Sequence, residues 1–212
     1  MKKSRNFVDA SRIGNCFKSS EELFVIRVGD HSRIEGFRYQ PGLLDQAAEE
    51  TLLTHLRTLP FREFEFHGYT GKRRVVSFGW KYEFSGERLR KAEDIPEFLL
   101  PLRSRAAAFA GLHAAAFEHV LVTEYGPGAG IGWHRDKAVF GEVVGISLLS
   151  PCVLRFRYKA GEKWERVNVL TEARSAYHLT GPARSQWQHS ILRVDSLRYS
   201  ITFRTMRDKQ ID

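Results

Sequence analysis

A chain of 212 residues, 42 % hydrophobic and 27 % charged, is long enough to bury a real core and too ordinary in composition for a disordered or fibrous protein. No apolar run reaches the length of a bilayer crossing, and the basic start MKKSRNFVDASR lacks the apolar stretch of a secretory signal. A net charge of +8, from 33 basic and 25 acidic residues, tilts the partner towards a polyanion without requiring one.

Two cysteines far apart, Cys16 and Cys152, make neither a disulfide framework nor a CxxC site. A reducing, cytoplasmic location is expected, or a nuclear one in a eukaryote. Cys152, inside LLSPCVLRF, reads as a small buried hydrophobe.

Residues 1–22 are polar and aperiodic, which predicts a flexible N-terminal arm ahead of a single domain over 23–212. LFVIRV at 23–28 reads as a short strand. In PGLLDQAAEETLLTHLRTLPF the period changes: Leu44, Ala48, Leu52, Leu56 and Leu59 recur at three to four residues, which predicts an amphipathic helix ended by Pro60. Next, Phe61, Phe64 and Phe66 predict a strand and VVSFGWKYEF a second. HGYTGKRR between them predicts an exposed loop carrying Lys72, Arg73 and Arg74, with Trp80 and Tyr82 nearby. Cations beside aromatics suit base stacking and phosphate contact, and equally a core strand with a solvated turn.

EDIPEFLLPLRSRAAAFAGLHAAAFEHV is the strongest helical segment, with Asp94 as a cap, Pro96 in the first turn and a bend at Pro101. From His119 onward, HVLVTEY, VVGISLLS, VLRFRYK, WERVNVL, SAYHLT, QWQHSIL and LRYSITFR follow one another as short strands. Regular short strands predict an antiparallel sandwich or barrel. The fold class is therefore α+β, with bracing helices and lid over 23–118 and a β-rich core over 119–206.

Within that core, YGPGAGIGWHRD places His134 and Asp136 one residue apart at the end of a glycine-rich turn. His189, on an apolar strand between Trp187 and Ile191, is the best distal candidate to share an ion with them. Two histidines and a carboxylate on one face leave open positions on non-haem Fe(II); a zinc hydrolase can also use such a set. Arg198 and Arg204 in LRYSITFR are six apart, so a strand carries both on one face. Two inward arginines are expensive unless a dicarboxylate neutralises them.

Together, Tyr125, the His134-x-Asp136 pair, His189 and RYSITFR resemble the AlkB-like Fe(II)/2-oxoglutarate dioxygenases, over about Gly36 to Arg204. The resemblance implies a double-stranded β-helix (jelly-roll) core, with His134, Asp136 and His189 as metal ligands and catalytic centre. It implies that Tyr125 and Arg198 hold the distal carboxylate of 2-oxoglutarate and that Arg204 faces the carboxylate beside the keto group. It further implies that Thr123, Ser200 and Ile131 complete the co-substrate pocket. It also implies O2 as oxidant, and Arg73, Arg74, Trp80, Tyr82 and Trp133 as substrate contacts.

Three positions depart from the family pattern. Thr123 and Ser200 stand where asparagines are usual, and Ala138 stands where nucleobase-repairing members carry an acidic residue that contacts the flipped base. The function expected is an oxidative demethylase acting as a monomer on N-methylated or alkylated DNA or RNA. Methylated protein lysine is the alternative substrate, and a non-catalytic nucleic-acid-binding module the alternative class.

Overall fold

The computed structural model describes residues 30–66, 69–83 and 88–207. The N-terminal arm, the 23–28 strand and Cys16 lie outside these residues. Thirteen strands and three α-helices are present among the described residues. No helix there is long and apolar enough to cross a membrane.

Strand β1 (Phe37–Gln40) precedes helix α1 (Gln46–Leu56), which Asp45 caps by accepting a hydrogen bond from the Ala48 amide. The helix buries Leu52, Leu53 and Leu56, the face the periodicity predicts, together with Glu49. Strands β2 (Arg62–Phe66) and β3 (Tyr69–Phe78) follow. Here the expected basic loop is corrected: Lys72, Arg73 and Arg74 lie within β3. Arg73 pairs with Tyr125 and Arg74 with Glu124 on the neighbouring strand. Gly71 and three cations look like a turn, but main-chain pairing on both sides of β3 outweighs that local preference.

Gly79, at φ +75°, then breaks the expected second strand into β3 and β4 (Trp80–Glu83). With β5 (Arg88–Lys91), β4 forms a separate two-stranded hairpin. The strongest helical segment is also shorter than expected. After a 3-10 turn at Glu97–Leu99, α2 spans Leu100–Ala110, so Pro101 sits in its first turn, where its missing N–H is harmless, and bends nothing. Gly111 at φ +74° ends it.

The C-terminal half follows the predicted strand series: β6 (Phe117–Tyr125), β7 (Ile131–His134), β8 (Phe140–Leu148), β9 (Cys152–Ala160) and β10 (Lys163–Thr171). Strand β11 (Ala176–Leu179), the short helix α3 (Gly181–Ser185), β12 (Gln188–Ile191) and β13 (Arg198–Met206) complete it. They form a seven-stranded sheet, β1-β11-β8-β13-β6-β3-β2, facing a four-stranded sheet, β10-β9-β12-β7. Every pairing is antiparallel. This is the jelly-roll sandwich.

Alternation along three central strands decides what goes where. Val120 and Val122 of β6, Val144, Ile146 and Leu148 of β8, and Tyr199, Ile201 and Phe203 of β13 turn outward and pack under α1 and α2. Their neighbours Leu121, Thr123, Tyr125, Val143, Ser200, Thr202 and Arg204 face the four-stranded sheet and line a cavity. A second apolar cluster, including Phe37, Leu154, Phe156, Tyr177 and Ile191, fills the rest of the space between the sheets. The period of two thus separates a dry, helix-covered face from a polar interior on the same strands.

Candidate metal centre

Strands β7 and β12 run antiparallel at the edge of the smaller sheet, with His134 directly opposite His189. Between this pair and the next, Ile131 opposite Ile191, β7 contains one residue more than β12, a β-bulge. The bulge turns both Ile131 and His134 into the cavity, which alternation alone forbids for residues three apart. Asp136 follows on the loop after β7. One ligand atom from each of His134, Asp136 and His189 lies within 4.8 Å of the others.

Each ligand is oriented by a neighbour. His134 uses Nδ1 on the Gly132 carbonyl at 2.9 Å, leaving Nε2 for an ion. Arg204 donates to Asp136 Oδ1 at 2.8 Å, while Oδ2 lies 3.9 Å from His189 Nε2. Burial alone would raise the Asp136 pKa, but Arg204, then His189, His134 and Arg184, hold it well below the usual carboxylate range. Burial lowers the pKa of His134, and burial with the adjacent His134 pushes His189 down to about 3. Neutral imidazoles beside an ionised carboxylate are the protonation states a divalent cation requires.

A residue that sequence reading missed fixes the loop. Arg184, on α3 and only 6 % exposed, donates to the carbonyls of Asp136, Lys137, Phe140 and Gly141 at 2.6–3.2 Å. One guanidinium therefore shapes the segment that delivers Asp136. An arginine after Gly-Pro-Ala in a short helix carries no signature for this role, since its acceptors are backbone atoms about 45 positions away.

The cavity beside the triad has a volume of about 120 Å³. Strands β3, β6 and β13 lie side by side there, with Arg73, Tyr125 and Arg198 in register. Arg198 is 1 % exposed, donates from Nε to Ser147 Oγ at 3.1 Å, and lies 5.0 Å from the Tyr125 ring centroid. Its Nη1 is buried with no hydrogen-bond partner, as are Arg204 Nε and His189 Nδ1. Burial would lower the Arg198 pKa, but Cys152, Tyr125 and Tyr177 around it outweigh burial and raise it. A buried cation with an unused donor is the complement of a carboxylate. The donor set therefore fits both Fe(II) and a 2-oxo dicarboxylate.

Thr123 and Ser200, at the two positions that depart from the family, are direct cross-strand partners and both line the cavity. Tyr177 and Thr202 line it too and went unread in the sequence. Gly145 makes room for Tyr177, because a Cβ at that position would fall inside the tyrosine ring.

The predicted substrate residues divide. Arg73 lines the cavity, its guanidinium stacked 3.7 Å from the Phe64 ring centroid, and burial lowers its pKa. Tyr82 lies 4.9 Å from Lys137 Nζ, which leans the β4–β5 hairpin towards the loop after Asp136. Arg74, Trp80 and Trp133 are not brought to the cavity. Arg74 pairs with Glu124 at 2.7 Å on the exposed side of β3. Trp80 lines a separate cavity of about 310 Å³ near α2. The bulge that turns His134 inward leaves Trp133 on the outer face of the smaller sheet, against Arg155 and Arg157.

A sequence profile of the 2OG-Fe(II) oxygenase superfamily matches residues 36–204. The chain is 34 % identical over 162 residues to the Bos taurus "Alpha-ketoglutarate-dependent dioxygenase alkB homolog 7, mitochondrial", covering 73 % of this chain and 66 % of that protein. It is 24 % identical over 173 residues to the Arabidopsis thaliana "Alkylated DNA repair protein ALKBH8 homolog", covering 65 % of this chain and 50 % of that protein. The chain thus spans between half and about two-thirds of these relatives. The structure described as "The structure of OsALKBH1" superposes with a TM-score of 0.62 at 16 % identity, covering 80 % of this chain and 96 % of that one. At that identity the likeness shows the double-stranded β-helix fold alone. With the profile spanning most of the domain and the His-Asp-His cluster in place, the chain belongs to the 2OG-Fe(II) oxygenase superfamily, and its site fits the Fe(II) and 2-oxoglutarate for which that family is named.

Proposed function

We propose that this dioxygenase is an oxidative demethylase of N-methylated nucleic acid. The observation that carries the chemistry is one cavity lined by His134, Asp136, His189 and the buried, incompletely bonded Arg204, with Arg198, also incompletely bonded, packed against the cavity-lining Tyr125. In this reading His134 Nε2, Asp136 Oδ2 and a ring nitrogen of His189 would hold the ion. Arg204 occupies Asp136 Oδ1 and leaves Oδ2 as the oxygen that would meet the ion.

Arg198 and Tyr125 bind the distal carboxylate of 2-oxoglutarate, while Arg204 meets the carboxylate beside the keto group. Thr123 and Ser200 offer hydroxyls, and Ile131 forms an apolar wall. When bound, Fe(II) and 2-oxoglutarate would supply an oxidation by O2 in which one oxygen atom goes into the succinate that leaves with carbon dioxide and the other enters an N-methyl C–H bond. The hydroxymethyl product then loses formaldehyde and frees the amine.

Support for the substrate comes from the +8 charge, from Arg73 in the cavity wall, and from Tyr82 beside Lys137, the residue next to Asp136. A flipped or unpaired base stacks on such aromatics while cations hold its phosphates. A second reading, removal of methyl groups from protein lysine, is favoured by Ala138. It is exposed two residues beyond Asp136 and offers a base no side-chain acceptor. The test is formaldehyde release from a panel of methylated single-stranded DNA, RNA and lysine peptides with Fe(II), 2-oxoglutarate and ascorbate. Release from the peptides alone would replace the first reading with the second.

A further inference from the structure

On the back of the smaller sheet, opposite the metal ligands, lies a basic and aromatic array that the oxygenase reaction does not use. Along β9, Leu154 and Phe156 are buried inward while Arg155 and Arg157 face out. The Arg157 guanidinium carbon lies 4.5 Å from the ring centroids of both Trp133 and Trp164, and that of Arg155 lies 4.8 Å from Trp133. Strand β12 anchors both: Arg155 Nε donates to Ser190 Oγ at 3.0 Å and Arg157 Nε to Gln188 Oε1 at 2.6 Å.

Each guanidinium is thereby fixed through Nε and stacked on indole. The terminal nitrogens of both make no hydrogen bond or ion pair within the described residues, and these are the atoms that grip a phosphate in a fork. Register extends the pattern, because β10 sets Arg166 opposite Arg157 and Trp164 opposite Lys159. The outward positions of β9 and β10 here carry four cations and no carboxylate. Like charges held side by side are unfavourable, and burial together with Arg157 lowers the pKa of Arg155. A polyanion relieves that repulsion. Trp164, 39 % exposed, adds an aromatic surface that an acidic peptide has no use for and a base does.

We propose that this outer face, built on Arg155, Arg157, Arg166 and Trp164, is a second, non-catalytic binding surface for single-stranded nucleic acid. The arginines take successive phosphates, and Trp164 stacks a base. The inference rests on the nucleic-acid reading of the active site and deepens it by giving the same strand a remote anchor behind the metal centre.

Fluorescence anisotropy with labelled, unmethylated oligo-dT and oligo-U of about 15 nucleotides, a span that one small domain covers, tests it. The double variant R155Q/R157Q should bind at least tenfold more weakly. Its salt dependence should be shallower by about 1.4, from roughly 0.7 per lost contact with a single strand. W164A should bind several-fold more weakly with the salt slope unchanged. All variants should keep wild-type substrate-free consumption of 2-oxoglutarate, which reports a folded, loaded centre. A further arm with oligo-dU, which shares its base with oligo-U, identifies the preferred sugar.

Equal binding by wild type and W164A, with R155Q/R157Q also unchanged, would overturn the proposal. So would displacement of the oligonucleotide by polyglutamate or anionic vesicles at equal charge concentration. Loss of oligonucleotide binding in the variants, with formaldehyde coming only from lysine peptides, would uphold the surface and refute the active-site reading. The two failures are therefore distinguishable.

Discussion

Removing Arg198 isolates the co-substrate clamp from the metal. Its side chain is 1 % exposed, is held by Ser147, and leaves Nη1 buried without a partner. In Arg198→Ala the distal carboxylate of 2-oxoglutarate loses its buried cation. Breaking one side of such a pair costs about 2–5 kcal/mol, which at 1.4 kcal/mol per decade is roughly a 30- to 4,000-fold rise in Kd. The free protein should not be destabilised in proportion, because the substitution also removes an incompletely bonded buried charge.

Thermal unfolding with and without 2-oxoglutarate reads both effects at once. Stabilisation by ligand follows RT ln(1 + [L]/Kd), so wild type should gain Tm with millimolar co-substrate while Arg198→Ala gains almost none. Arg74→Ala is the control, since an exposed pair with Glu124 is worth about 0–1 kcal/mol and lies outside the cavity. Equal responses of the Arg198 and Arg74 variants to 2-oxoglutarate would refute the clamp.

Arg184→Ala leaves carbonyls from Asp136 to Gly141 without their shared donor. It should lower stability by at least about 3 kcal/mol and Fe(II) affinity by about 10- to 100-fold, read by unfolding and metal titration. Arg184→Lys, which keeps the charge and loses the fork, should fall between. Gly145→Ala drives a methyl group into the Tyr177 ring and should destabilise by about 1–3 kcal/mol, visible as a lower Tm. Thr123→Asn adds an amide beside Ser200 in the co-substrate cavity; calorimetry should show 2-oxoglutarate bound about 2- to 10-fold more tightly, one hydrogen bond's worth.

Much of the C-terminal sandwich is legible because its strands alternate and its turns are marked, and RYSITFR declares its inward arginines through even spacing. The ligand pair is legible as a motif. What escapes sequence reading depends on main-chain geometry between distant segments. A one-residue bulge decides that His134 turns inward and Trp133 outward, and nothing in GWHRD announces it. Lys72, Arg73 and Arg74 look like a turn and become a strand because β2 and β6 pair with β3 on either side. Arg184 recognises backbone carbonyls, so no partner side chain marks it. Pro101, read as a bend, is only a first-turn residue once the preceding turn proves to be 3-10.

The most direct test of the demethylase reading measures succinate and formaldehyde together on an N-methylated single-stranded oligonucleotide, with wild type and Asp136→Ala in parallel. Wild type should form one formaldehyde for each succinate in the coupled reaction, and Asp136→Ala neither product. Succinate without formaldehyde across the methylated DNA and RNA panel, at rates no greater than without substrate, would contradict that reading.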